Sequence, residues 1–194
     1  LKNLLSRLKI DKLDNLAIHG LNQQEHLDWA IRGEGSELLR WAQGEGLVNQ
    51  IGFSSHGSTS LIEDALSSNH FKFCSLHLHL LDPERMPLAK QALAEGIGVM
   101  AISPADKGGR LQAPSHALIE DCTPFHPIEL AYRYLLAEGI STLTLGAAKA
   151  NDFSIAKRLI KADGPLTPSE LNSLNQIQIN RKRRLGKSHC GQCR

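Results

Sequence analysis

The stretch "AKQALAEGIGVMAISP" (residues 89–104) contains a helical run, then Glu-Gly, then a short apolar segment ending in polar residues. Two other stretches repeat this order: "LLRWAQGEGLVNQIGFSS" (38–55) and "RYLLAEGISTLTLGAA" (133–148). Gly46, Gly96 and Gly139 stand where a helix ends and the chain must turn with a positive φ, which glycine adopts without penalty. Each is followed by Val, Ile and Leu in the short run that a strand buried on both faces requires. Strands alternating with helices in this way predict a parallel sheet.

Two more strands extend the series. "LDNLAIHG" (13–20) precedes the first repeat, and "FKFCSLHLHLL" (71–81) follows the helical segment "STSLIEDALSS" (58–68). The pattern predicts strands at about 13–19, 48–54, 71–79, 97–103 and 140–146. It predicts helices near 1–10, 36–45, 59–68, 84–95, 126–138 and 151–161. A last helix, "TPSELNSLNQIQINRKRRL" (167–185), opens with a Thr N-cap, Pro at the first position and Glu at the third, and packs Leu171, Leu174 and Ile177.

Five β/α units in a row form either a doubly wound open sheet or part of an eight-stranded barrel. No Gly-x-Gly-x-x-Gly follows any strand, which disfavours the dinucleotide-binding open sheet. Polar residues gather at the strand ends instead: His19, Ser54, Ser55, His79, Ser103 and Gly146. A barrel keeps its chemistry at that end of its strands.

Composition sets the outer bounds. The 194 residues are 41% hydrophobic and 22% charged, as in a soluble globular protein. A net charge of +2 gives no field for nucleic acid, and "RKRRLGK" (181–187) reads as a solvated helix end. No apolar run approaches the roughly 18 residues of a membrane span. No signal peptide and no initiator Met are present, and the chain opens within a helix, "LKNLLSRLKI". With Cys74 and Cys122 isolated there is no disulfide framework, and a reducing cytoplasm is the expected location.

In order along the chain, "LDNLAIHG", "EGLVNQIGFSSH", "GVMAISPADKGGRL" and "AYRYLLAEGISTLTLGAAKANDF" resemble the aldo-keto reductase superfamily. The branch they resemble carries a ferredoxin-like iron–sulfur extension after the barrel. The resemblance covers about residues 1–170. It implies an α/β fold: the C-terminal part, about strands 4–8, of a (β/α)8 TIM barrel over residues 1–165. A helix and the start of a Cys-rich, cluster-binding tail would then occupy 166–194.

The resemblance also implies roles. His19 matches the His that polarises the substrate carbonyl. Ser54 and Ser55 match the Ser-Asn pair that holds the nicotinamide carboxamide, and Ser75 stands where the family commonly has a Gln. Ser103, Pro104 and Ala105, running on to Gly108, match the loop around the pyrophosphate, and Gly146 to Lys149 the loop at the adenosine phosphate. The cofactor implied is NADP(H) or NAD(H), and the substrate a small carbonyl compound. Several positions depart from the family: Leu78 replaces a stacking Tyr, and Ile155 and Ala156 replace a Glu-Asn pair. The family's Asp, Tyr and Lys belong to earlier strands, so the parent is expected to reduce carbonyls while the isolated chain is inactive, marginally stable or self-associating.

Taken without the resemblance, these residues leave alternatives open. A strand-end His can stabilise an oxyanion or serve the core. His77 and His79, two apart on one strand face, could ligate a metal with Asp82 or His19, as in hydrolase barrels, or simply pack. "ISPADKGGRL" (102–111), with Lys107 and Arg110, suits phosphate or an ordinary turn, and Lys149 suits a ribose phosphate or solvent. Cys190 and Cys193 form a Cys-x-x-Cys open to a zinc half-site, a redox dithiol or the first two ligands of a 4Fe–4S cluster with an electron-transfer partner. The alternative to a reductase is a non-enzymatic nucleotide- or partner-binding barrel module.

Overall fold

In the computed structural model, residues 1–106, 111–147, 149–160, 162 and 164–186 are described. They form two compact units. The first comprises Leu1–Leu78, Asp82–Ile102 and Gly139–Thr144; the second comprises His79–Leu81, Ser103–Glu138 and the chain from Leu145 onward.

The first unit holds the whole sheet. Its elements are α1 (Lys2–Leu8), β1 (Leu13–Ile18), α2 (Gln24–Ile31), α3 (Glu34–Gly44), β2 (Val48–Ser55), α4 (Thr59–Ser67), β3 (Phe73–His77), α5 (Met86–Ala94), β4 (Gly98–Ile102) and β5 (Thr142–Leu143). The strands lie in the order β1-β2-β3-β4-β5, every neighbouring pair parallel. A doubly wound sheet reverses its strand order at a switch point, whereas a barrel adds each strand beside the last. The consecutive order is that of a barrel wall.

Two of the predicted glycine turns show why each helix hands over to a strand. Gly46 and Gly96 have φ of 69° and 76°. After α5, the Gly96 N–H bonds Leu93 O and the Ile97 N–H reaches back to Ala92 O at 2.8 Å. The same pair of bonds closes α3 through Gly46 and Leu47. This double bond ends the helix and aims the chain into the sheet.

Packing fixes the register. Gly52 on β2 pairs with Phe73 on β3, and a Cβ at Gly52 would lie 2.4 Å from Phe73 O and 2.6 Å from its ring. Only glycine fits there. Next to it, Phe53 meets Phe71 edge-on, with centroids 4.9 Å apart. Leu61, Ile62, Ala65 and Leu66 of α4 and Met86, Leu88, Ala89 and Ala92 of α5 supply the buried helical faces.

The second unit is helical: α6 (His116–Cys122), α7 (Pro127–Ala137), a 3-10 turn (Ala150–Asp152), α8 (Phe153–Leu159) and α9 (Pro168–Leu185). Buried polar pairs organise it. Thr167 Oγ1 accepts from Glu170 N, and the Glu170 carboxylate accepts from Thr167 N at 2.6 Å, closing the predicted capping box of α9. Glu170 also pairs with Arg133 Nε of α7 at 3.1 Å, and Arg133 Nη2 donates to Gly164 O. On α6, Asp121 accepts from Arg184 Nη1 and Asn180 Nδ2, both at 2.7 Å.

Several elements differ from the sequence reading. Helices α2 and α6 fall outside the predicted set; each spans only about two turns, less than the window of roughly 11 residues over which periodicity is judged. β3 and β5 are shorter than predicted. β5 pairs only through Thr142 and Leu143, with one further bond from Thr144 N to Ala101 O, before the chain leaves the sheet. β5, expected to be buried on both faces, exposes Thr142; β1 is half-exposed along its length, and its second edge has no neighbour among the described strands. Leu174 and Ile177 are buried as predicted, but Leu171 is 46% exposed: it lies on the outer face of α9. No helix among the described residues is long and apolar enough to cross a membrane.

Two glycine substitutions should separate backbone strain from steric clash. Gly96→Ala meets no atom of the described residues within 4 Å, so its cost is the left-handed backbone alone, about 1–2 kcal/mol. Gly52→Ala must displace Phe73 and is expected to cost more, roughly 1–3 kcal/mol or above. Urea unfolding of both variants tests that ranking.

Candidate functional site

Parallel strands bring their carboxyl ends to one edge of the sheet, and in the first unit that edge collects polar groups. His19 directly follows β1, and Ser54 and Ser55 close β2. The Ser54 hydroxyl lies 3.2 Å from His19 Nδ1 and accepts the Gly20 N–H at 3.1 Å. It thus fixes both the imidazole and the turn that follows β1. Tethering through Nδ1 leaves Nε2 as the ring nitrogen for a ligand, and His19 is exposed.

Ser55 is placed differently. Its hydroxyl is fully buried, donates to Leu21 O at 2.6 Å and accepts from Gly57 N at 2.9 Å. Those two bonds tie the β2–α4 loop to the segment after β1. Asn22 adds a third link, its side-chain oxygen accepting the His56 N–H at 2.7 Å. Ser75 is the register partner of Ser54 on β3 and is buried. Leu78, just beyond β3, has no exposed surface.

One residue of this edge carried no sequence signal. Arg85, N-terminal to α5, donates to the carbonyl oxygens of Ser55, His56 and Gly57 at 3.2, 3.3 and 3.0 Å. A guanidinium offers several donors in one plane, so a single side chain can gather three carbonyls of a loop. Ser58 then caps α4 by accepting the Leu61 N–H. Only the folded chain brings Arg85, some thirty residues away, to this loop.

The second unit holds the other predicted residues. Ser103 adopts a positive φ of 54°, and Asp106 N bonds back to Ser103 O, closing a tight turn with Pro104 and Ala105 buried inside it. Gly108 lies outside the described residues, as do Lys107 and Arg110. Gly146 is exposed, and among the described residues a Cβ placed on it would meet only Gln112 Nε2, at 4.0 Å. Gln112 donates to Gly146 O at 3.0 Å. Lys149 is exposed, and its backbone N–H bonds the Asp152 carboxylate.

A cavity of about 510 Å³ opens between these segments, walled by Gln112, His126, Ile128, Tyr132, Gly146 and Ile155 among others. Its size falls within the range typical of small-molecule sites, and a mixed wall of apolar side chains and a few polar groups is their usual composition. Gln112, His126 and Tyr132 carried no signal in the sequence. His126 caps α7 by accepting the Ile128 N–H at 3.4 Å. Burial pushes the Tyr132 hydroxyl pKa up, so the phenol stays protonated across the neutral range.

The histidine and cysteine candidates resolve as follows. His77 ends β3 and His79 lies past it; both are buried. In the second unit His79 Nε2 is 3.8 Å from Asp106 Oδ1, a neighbour absent from the predicted partners Asp82 and His19. Cys74 and Cys122 are buried core residues. Burial raises both thiol pKa values to about 12, helped at Cys122 by Asp121. Cys190 and Cys193 lie outside the described residues.

Neither a protein-family model nor a curated protein sequence matches this chain. Solved structures do match. An aldo-keto reductase from Bacillus halodurans, in its holo form, aligns with a TM-score of 0.73 at 24% identity, covering 91% of this chain and 62% of that one. A glycerol dehydrogenase from Gluconobacter oxydans aligns at 0.68 and 16% identity, over 98% of this chain and 65% of that one. An aldose reductase from Giardia lamblia aligns at 0.64 and 19% identity, over 92% and 66%. This chain therefore spans less than two thirds of their lengths. At these identities the likeness establishes the fold: a parallel α/β architecture like that of the aldo-keto reductase barrel.

Two outcomes follow from this geometry. Arg85→Ala should cost about 1–3 kcal/mol in urea unfolding and speed amide exchange at 56–58, while the interior of β3 stays protected. For the thiols, a folded pKa above the unfolded value means that unfolding releases protons between about pH 9 and 12. The stability they contribute is complete below about pH 9 and is lost as pH rises through that window, by up to roughly 1.4 kcal/mol per pH unit and thiol. Denaturant midpoints at pH 8 and 10 should fall accordingly, and Cys74 and Cys122 should resist alkylation at pH 8 until the chain unfolds.

Proposed function

We propose that this chain forms the part of an aldo-keto reductase-type barrel running from the fourth strand to the eighth. The whole protein would reduce a small carbonyl compound with NADH or NADPH in a cytoplasmic setting. One observation carries the reading: an exposed imidazole, His19, tethered through Nδ1 to Ser54 at the carboxyl edge of five consecutive parallel strands. A histidine held this way can donate from Nε2 to a carbonyl oxygen and stabilise the negative charge that develops there.

In this reading the cavity in the second unit takes part of the nucleotide. It is large enough for part of one, and the open space beside Gly146 lets a ligand approach backbone that a side chain would otherwise shield. In this reading Gly146, Lys149, Ser103, Pro104 and Gly108 hold the phosphates and the adenosine half. The resemblance assigns Ser54 and Ser75 to the nicotinamide carboxamide. Ser55, its hydroxyl already bonded on both sides, acts by holding the loop in place. When bound, the nicotinamide supplies the hydride; the chain supplies position and electrostatics.

Cys190 and Cys193 are proposed as two ligands of a 4Fe–4S cluster in a longer protein, with a one-electron partner. A cluster needs four such ligands. Cys74 and Cys122 do not complete the set, since each is sealed in a core.

Calorimetric titration of the chain with NADH and with NADPH tests the reading; saturable one-to-one binding of either is the expected result. Failure of both to bind at millimolar concentration would overturn it. In the whole protein, His19→Ala should lower kcat/KM for carbonyl reduction by about 10²–10³ while leaving the nucleotide Kd unchanged.

A further inference from the structure

Asn22 follows His19 closely, in the turn that leads from β1 to α2. Its side-chain oxygen accepts the His56 N–H at 2.7 Å. A backbone N–H can only donate, so this bond fixes which end of the amide is oxygen and turns Nδ2 the other way. Nδ2 makes no hydrogen bond among the described residues and lies 3.7 Å from where a Cβ of Gly20 would sit. Gly20 has a φ of 71° and no side chain to cover that donor. His19 is built alike, with Nδ1 held by Ser54 and Nε2 left for a ligand. One turn thus carries two N–H donors, each oriented by the bond that its companion atom makes.

The acceptors of the same turn are engaged. Gly20 O lies 3.0 Å from His26 Nδ1, Leu21 O takes the Ser55 hydroxyl at 2.6 Å, and Asn22 Oδ1 holds His56. A hydroxyl on a ligand would bring a donor of its own to a turn whose acceptors are taken. A carbonyl oxygen only accepts, and so matches a free N–H without leaving a polar group unpaired. Resting on the reductase reading above, we infer that Asn22 selects the substrate. Its Nδ2 donates to a second carbonyl oxygen, on the carbon next to the one whose oxygen His19 holds. Donors on one short turn reach two oxygens of a small molecule when these sit on neighbouring carbons, so the substrate class is a small α-dicarbonyl compound.

The test is Asn22→Asp in the whole protein. This substitution keeps the oxygen that holds His56 and replaces the donor by a second acceptor. Diacetyl and butanone differ only by the second carbonyl. The ratio of kcat/KM for diacetyl to that for butanone should fall by roughly three- to ten-fold, the worth of one hydrogen bond. Taking the ratio cancels any general effect of the substitution on folding or on His19. An unchanged ratio would mean that Asn22 only braces the loop, and would overturn the inference while leaving the reductase reading standing. So would a wild-type protein that reduces other carbonyl compounds but not diacetyl. If the wild type reduces no small carbonyl compound with NADH or NADPH, the reductase reading itself fails, and the inference with it.

Discussion

The close approach of β2 and β3 at Gly52 is the constraint on which the first unit depends. Phe73 leaves no room for a Cβ there, so the two strands come together in one register. That register sets Ser54 opposite Ser75 and holds Phe53 against Phe71. A slip of one residue would exchange the faces of every side chain on the strand. From Ser54 the order passes to its neighbour strand, because the same hydroxyl bonds the His19 imidazole and the Gly20 amide. Packing at a glycine thus determines where a candidate catalytic group sits.

The loop after β2 shows how the edge is kept stiff. Ser55, Asn22 and Arg85 reach it from three parts of the chain, and each satisfies backbone groups that would otherwise need water. Hydrogen bonds to a charged guanidinium are the stronger kind. Such bracing suits a site whose groups must hold their positions while a ligand arrives.

The second unit is braced by charge instead. Arg133 with Glu170, and Asp121 with Arg184 and Asn180, bind α7 and α6 to α9. Breaking a buried pair costs more than the pair contributes, since it strands a charge away from water. The same helix α7 that carries Arg133 also carries Tyr132 of the cavity wall.

Much of this architecture was legible in the sequence, because the signals are local. Glycine at a helix end, a run of branched apolar residues and a Thr-Pro-x-Glu opening each act over a few residues, and the turns at Gly46 and Gly96 and the capping box at Thr167 form as those signals require. His19 and Ser54 could be placed at strand ends for the same reason, whereas Ser75, in the middle of β3, came only from the resemblance. α2 and α6, each about two turns long, are shorter than the window over which periodicity is judged and gave no such signal. The outward face of Leu171 depends on which side of α9 finds a partner. The commitment of the Ser55 hydroxyl to Leu21, the capture of the loop by Arg85, and the meeting of Gln112 and Gly146 at the cavity join residues about thirty positions apart. Their pairing follows from how the strands and helices pack, and so only the tertiary structure decided it.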